Sequence, residues 1–169
     1  MKRRRAQEIA AILTILAAAA CSATAGVKPV RSEDPQVACP AGKVSWNLQV
    51  QDQRAELKDS EKLVGLVRSS LSQSFPACRW VTDPAAGTIG IEIHRFSAIL
   101  DGSIWDAGAD WSVSARDANG SSLTAFDATF GASRPNYRNT DNEREVLQQV
   151  FEQAIKKTVA GLQSLSSAP

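Results

Sequence analysis

The sequence predicts an α+β fold: an antiparallel sheet of three to five strands carrying two amphipathic helices on one face, in the order β-α-β-β-β-α. Three observations predict it. Apolar and polar residues alternate through several segments, the period of a half-buried strand. Two further segments repeat their apolar residues at three and four positions, the period of a helix packed on one side. Asn119-Gly120, two residues that tolerate positive φ, separates two of the alternating segments and marks a hairpin turn.

The elements follow in chain order. Val44, Trp46, Leu48 and Val50 alternate with Ser45, Asn47 and Gln49, so the first strand lies here, followed by the polar connection QDQRAELKD. Asp59 or Ser60 then caps a helix whose apolar face is Leu63, Val64, Leu66, Val67, Leu71 and Phe75, and Pro76 ends it. Cys78 to Thr82 is a candidate short strand. Ile89, Ile91 and Ile93 alternate with Gly90, Glu92 and His94 in the next strand. After the break at Asp101-Gly102, one strand face carries Trp105, Ala107, Ala109, Trp111, Val113 and Ala115, and the other carries Asp106, Asp110, Ser112, Ser114 and Arg116. SLTAFDATF returns beyond Asn119-Gly120, and GASRPNYRNT reads as a loop. Thr140 and Glu143 form a capping-box pair ahead of a helix with Val146, Leu147, Val150, Phe151, Ala154, Ile155, Thr158, Val159 and Leu162 on one side.

The segment before the domain concerns location. Met1-Lys2-Arg3-Arg4-Arg5 precedes Ile9 to Ala20, twelve residues in which only Thr14 is polar. A membrane-spanning helix needs about 20 apolar residues, so residues 1–20 read as a signal peptide. Ala18-Ala19-Ala20-Cys21 resembles a bacterial lipobox, with Ala18 where leucine is usual, and makes Cys21 the expected lipidation site. Ala23-Thr24-Ala25 before Gly26 is a competing site for ordinary export. Residues 21–42 are small, polar and dotted with proline, and are expected to form a lipidated tether to a single domain at 43–165, with 166–169 as a frayed tail. Ser22, where an aspartate would favour the inner membrane, is compatible with the outer one. Of the chain's three cysteines, Cys39 and Cys78 then remain, an even pair in an oxidising compartment. A disulfide between them is expected, and a metal site, with His94 as the only histidine to join it, is the rival.

The formal charge of +1 belongs to the leader. Removing Lys2, Arg3, Arg4, Arg5 and Glu8 turns it to −2, with no basic patch left for nucleic acid. His94 beside Glu92 is a candidate acid/base pair, weighed against two solvated strand residues. Asp101, Asp106 and Asp110 could attract calcium, but their spacing fits no EF-hand loop and suits a turn and a wet strand face. No phosphate-cradling loop occurs, so neither metal nor cofactor is expected. Arg134, Tyr137 and Arg138 lie just before an acidic helix start and form the candidate partner-binding group, with ion pairing to that helix as the plainer alternative. Trp46, Trp80, Trp105 and Trp111 suit core packing better than a sugar platform.

Taken together, the lipobox-like start, the strand ending near Asp52-Gln53-Arg54, the amphipathic helix, IGIEIHRFSA, the hairpin at Asn119-Gly120 and NEREVLQQVFEQAIKKTVAGL form a familiar layout. It resembles the YajG-like bacterial envelope lipoproteins over Val44 to Leu162. The auxiliary lipoproteins of ABC-type lipid transporters and the lipopolysaccharide-assembly lipoproteins of the LptE type share the helix-on-sheet layout. The resemblance implies a non-enzymatic protein, lipid-anchored to the outer membrane and facing the periplasm, where it binds an envelope protein or a lipid-transport component. The alternatives are an auxiliary subunit of a lipid transporter or lipopolysaccharide-assembly system, and a soluble periplasmic binding module.

Overall fold

A computed structural model describes residues 26–31, 37–83, 86–138 and 141–166. The signal peptide, Cys21, Thr140 and residues 167–169 lie outside them. Strand β1 (Ser45–Asp52) leads to helix α1 (Ser60–Ser74) and the short strand β2 (Arg79–Val81). The long strands β3 (Thr88–Asp101), β4 (Ile104–Arg116) and β5 (Ser122–Pro135) follow, and then helix α2 (Asn142–Gln163). The fold is α+β with the expected helix-on-sheet order, and β2 is the extra short strand.

The sheet runs β2-β1-β3-β4-β5 and is mixed. The expected antiparallel pairing holds for β3–β4 and β4–β5, but β1 runs parallel to both β2 and β3. The cause is connectivity: a helix between two neighbouring strands carries the chain back to its starting end, which makes those strands parallel. β2 pairs only along Ser45 to Asn47, so the chain needs a short passage past the start of β1 to begin β3 opposite Asn47. Gly87 serves that passage. Its carbonyl accepts the Asn47 N–H at 2.8 Å, and a Cβ there would meet the Trp46 ring at 2.7 Å.

Both helices cover one face. Trp46, Ile89, Ile91, Ile93, Trp111 and Val113 from the sheet meet Leu63, Val67, Leu71 and Phe75 from α1 and its end, and Val146, Val150, Phe151, Ala154 and Ile155 from α2. Phe151 sets its edge against Phe96 and Trp111, with centroids 5.9 and 6.1 Å away. One polar pair in this layer is satisfied locally. Thr158 Oγ1 donates to the Ala154 carbonyl and accepts the Trp111 indole N–H at 3.0 Å. All four tryptophans are accounted for by packing: Trp46 and Trp111 are fully buried, and Trp80 and Trp105 lie against the core.

Three local expectations change. The stretch from Gly131 to Pro135, read as loop, continues β5 opposite Ile104 to Gly108. β5 is an edge strand, where proline's missing N–H removes no ladder bond. The α1 cap also differs, while the capping box expected at Thr140 lies outside the described residues. Asp59 precedes α1 at φ 58 and Asp141 precedes α2, and neither side chain caps its helix. Instead Asp141 pairs with Arg144 at 3.1 Å, while burial and then the charge of Asp141 push the Glu143 carboxyl above its usual value. Finally, packing begins upstream of the expected domain start. Val27, Val30 and Val37 are buried in the core, so the described part of residues 21–42 lies along the helices rather than hanging free. Lys28 and Gln148 exchange two hydrogen bonds, and the Val30 N–H donates to Ser70 Oγ at 3.0 Å. A disulfide joins Cys39 to Cys78, with their Cα atoms 5.1 Å apart.

Candidate functional site

The helices leave the opposite sheet face uncovered, and strand alternation decides what appears there. Gln49 and Gln51 of β1, Glu92 of β3, Ser112 and Ser114 of β4, and Asp127 and Thr129 of β5 point away from the core in register. Over Gly90 this face is hollowed into a depression of about 330 Å³, edged by Gln49, Gln51, Thr88, Glu92, Ser114 and Arg116. A side chain at position 90 would fill the floor, since a Cβ would lie 2.9 Å from Ser114 Oγ.

A register shift between Ile93 and Arg95 makes His94 the extra residue of a bulge. Its Nε2 lies 2.6 Å from Ser112 Oγ, and both Glu92 and His94 are exposed, so water screens the candidate acid/base pair. The shift also turns Arg95 onto the open face, where its guanidinium lies against Gly108. The aspartates are dispersed rather than gathered. Thr129 donates to Asp110 at 2.8 Å, Ser133 donates to Asp106, and Asp101 sits at the hairpin turn. Among the described residues no group of three His, Cys, Asp or Glu side chains is placed to hold a metal.

The second surface is the turn from β5 into α2. Arg134 pairs with Glu145 at 2.6 Å, the plainer of its two expected roles. Tyr137 and Arg138 are exposed on a braced turn. Asn136 Oδ1 accepts from the Trp105 indole and from Asn142 Nδ2, both at 3.2 Å, and Asn142 also donates to the Tyr137 carbonyl at 2.8 Å. Sequence reasoning missed one feature of this end: Ile99, Leu100 and Ile104 at the β3–β4 hairpin tip are exposed. Their signal was in plain view, an apolar residue on each side of the Asp101-Gly102 turn.

No protein-family model matches the chain, and no curated protein matches it either. Solved structures with a similar fold do match. Protein XCC0632 from Xanthomonas campestris, of family DUF330, is 16% identical, with a TM-score of 0.55 over 84% of this chain and 96% of that one. A protein described as a neuraminyllactose-binding hemagglutinin homologue from Helicobacter pylori is 6% identical, with a TM-score of 0.52 over 80% and 94%. Rare lipoprotein B from Shewanella oneidensis is 15% identical, with a TM-score of 0.45 over 73% and 94%. At these identities the likeness is one of fold. Among the described residues no helix is long and apolar enough to cross a membrane.

Proposed function

We propose that this chain is a non-enzymatic lipoprotein of a bacterial envelope, acylated at Cys21 on the outer membrane, whose domain binds a protein or lipid-transport partner in the periplasm. One observation carries the reading: the Cys39–Cys78 disulfide accounts for two of three cysteines and leaves Cys21, the one that directly follows the apolar leader. A disulfide suits an exported chain, and the lipobox-like context of Cys21 suits acylation. The YajG-like layout fits the same reading. An anchored domain meets membrane partners at raised effective concentration and needs no strong intrinsic affinity.

Two surfaces are available to the partner: the hollowed open sheet face, and Tyr137 with Arg138. Arg134 is engaged by Glu145 and acts there by holding the turn. In crosslinked envelopes, Tyr137→Ala with Arg138→Ala should reduce recovery of the partner, and so should Glu92→Lys if the sheet face takes part. Recovery unchanged in both variants would reject both surfaces. Transporter components in the crosslinked fraction would favour the auxiliary-subunit reading over a general envelope partner.

A further inference from the structure

The N-terminal segment is short of slack. Gly26 sits against the Arg144 side chain, and Lys28 is held by Gln148, so the chain is fixed to the first turns of α2 at residues 26 to 28. Only five peptide steps separate Cys21 from Gly26. Fully extended, they reach at most about 18 Å. A tether free as far as Gly42 would have allowed about 70 Å. Acylation of Cys21 would therefore hold one particular end of the domain at the membrane, the end where α2 begins.

That end carries a cluster of exposed apolar side chains, whereas Val44 and Leu123 at the other end stand apart, beside β1 and on β5. A chain of contacts places the hairpin tip there: the Ser103 carbonyl accepts the Asn136 N–H at 2.8 Å, and Asn136 Oδ1 accepts from Asn142, the first residue of α2. At the tip Ile99 is 67% exposed, Ile104 44% and Leu100 42%, and Tyr137 nearby is 59% exposed. Ile99 and Ile104 project from the open face of the sheet and Leu100 from the other, so the tip is apolar on both sides. We propose that the β3–β4 hairpin tip, through Ile99, Leu100 and Ile104, rests in the head-group layer of the membrane that holds Cys21, with Tyr137 and Arg138 beside it left to the partner. The inference rests on the acylation proposed above. It fixes the orientation: the short strand β2 and the end of α2 point away from the bilayer, and the open sheet face stands roughly along its normal, accessible to a partner. Asp101 at the turn keeps the contact at head-group depth, because a carboxylate is costly in hydrocarbon.

The test uses the full chain purified from envelopes and reconstituted in vesicles of phosphatidylethanolamine and phosphatidylglycerol. Ile104→Cys and Ile99→Cys receive a thiol-reactive fluorophore, and Ser164→Cys, exposed at the far end of α2, is the control. Lipids carrying a head-group quencher should remove most of the emission at positions 99 and 104 and little at 164. An intact mass of the same sample reads the acyl group on Cys21. Acylated protein with equal quenching at all three positions would overturn the contact while leaving the anchor standing. Protein without an acyl group would remove the anchor and this inference together. Labelled positions 99 and 104 that escape the lipid quencher, with the unlabelled Cys variants forming disulfides between copies, would assign the tip to a second copy of the chain and overturn the lipid contact.

Discussion

Replacing Asp52 by alanine is expected to lower the unfolding free energy by about 3–5 kcal/mol, the cost of leaving one member of a buried ion pair alone. Arg54 forks onto Asp52, with Nε to Oδ1 at 2.8 Å and Nη2 to Oδ2 at 2.7 Å, and the two side chains are only 10% and 1% exposed. The same guanidinium donates to the carbonyls of Phe96 and Lys58, so it ties the end of β1 to β3 and to the β1–α1 connection. Without Asp52 the charge stays buried with only carbonyls around it. The pair also has a pH signature. Burial raises the Asp52 pKa, but the hydrogen bonds from Arg54 and Ser60 outweigh that and hold it below the ordinary value of 3.8. A lowered folded pKa means the stabilisation is complete above the unfolded value and is lost as pH falls through the folded one. Urea titrations should therefore show a wide gap between wild type and Asp52→Ala at pH 7 that narrows in acid below 3.8. A gap that is small at pH 7, or constant into acid, would contradict this account of the pair.

Opening the Cys39–Cys78 bond is the second large effect. The cysteines are 39 positions apart, and closing a loop of that length is worth about 4 kcal/mol in the chain-entropy model. The bond fixes the N-terminal segment to the domain just where the Pro40 carbonyl accepts the Trp46 indole N–H at 3.1 Å. Its loss loosens the buried Val37 close beside it. Cys39→Ser with Cys78→Ser should unfold at markedly lower urea than wild type, and a reducing agent should bring wild type down to the double variant. A double variant as stable as wild type in oxidising buffer would show that the packed valines alone hold the segment.

What the sequence made legible was whatever depends on local period. The helix faces at Leu63 to Phe75 and Val146 to Leu162, and the buried row Ala107 to Ala115, follow from spacing and lie in the core. What it hid depends on partners distant along the chain. Parallel pairing of β1 is set by the crossover through α1 and the passage at Gly87, not by any residue of β1 itself. Gly131 to Pro135 has weak strand propensity and becomes strand because β4 offers it a ladder. Val27 and Val30 are scattered apolar residues in a proline-dotted stretch, and partners far along the chain give them a place, Gln148 by holding Lys28 and Ser70 by accepting the Val30 N–H. The candidate surfaces divide the same way. Exposure of Tyr137 and Arg138 in a polar turn was readable, whereas the pairing of Arg134 with Glu145 and the bulge at His94 needed the register.

The measurement that tests the central claim most directly is an intact and fragment mass of envelope-purified protein without reducing agent. The account predicts a mature N-terminus at Cys21 carrying acyl mass, and fragments containing Cys39 and Cys78 joined to each other. A mature N-terminus at Gly26 with no acyl group would contradict it and make the chain a soluble periplasmic protein.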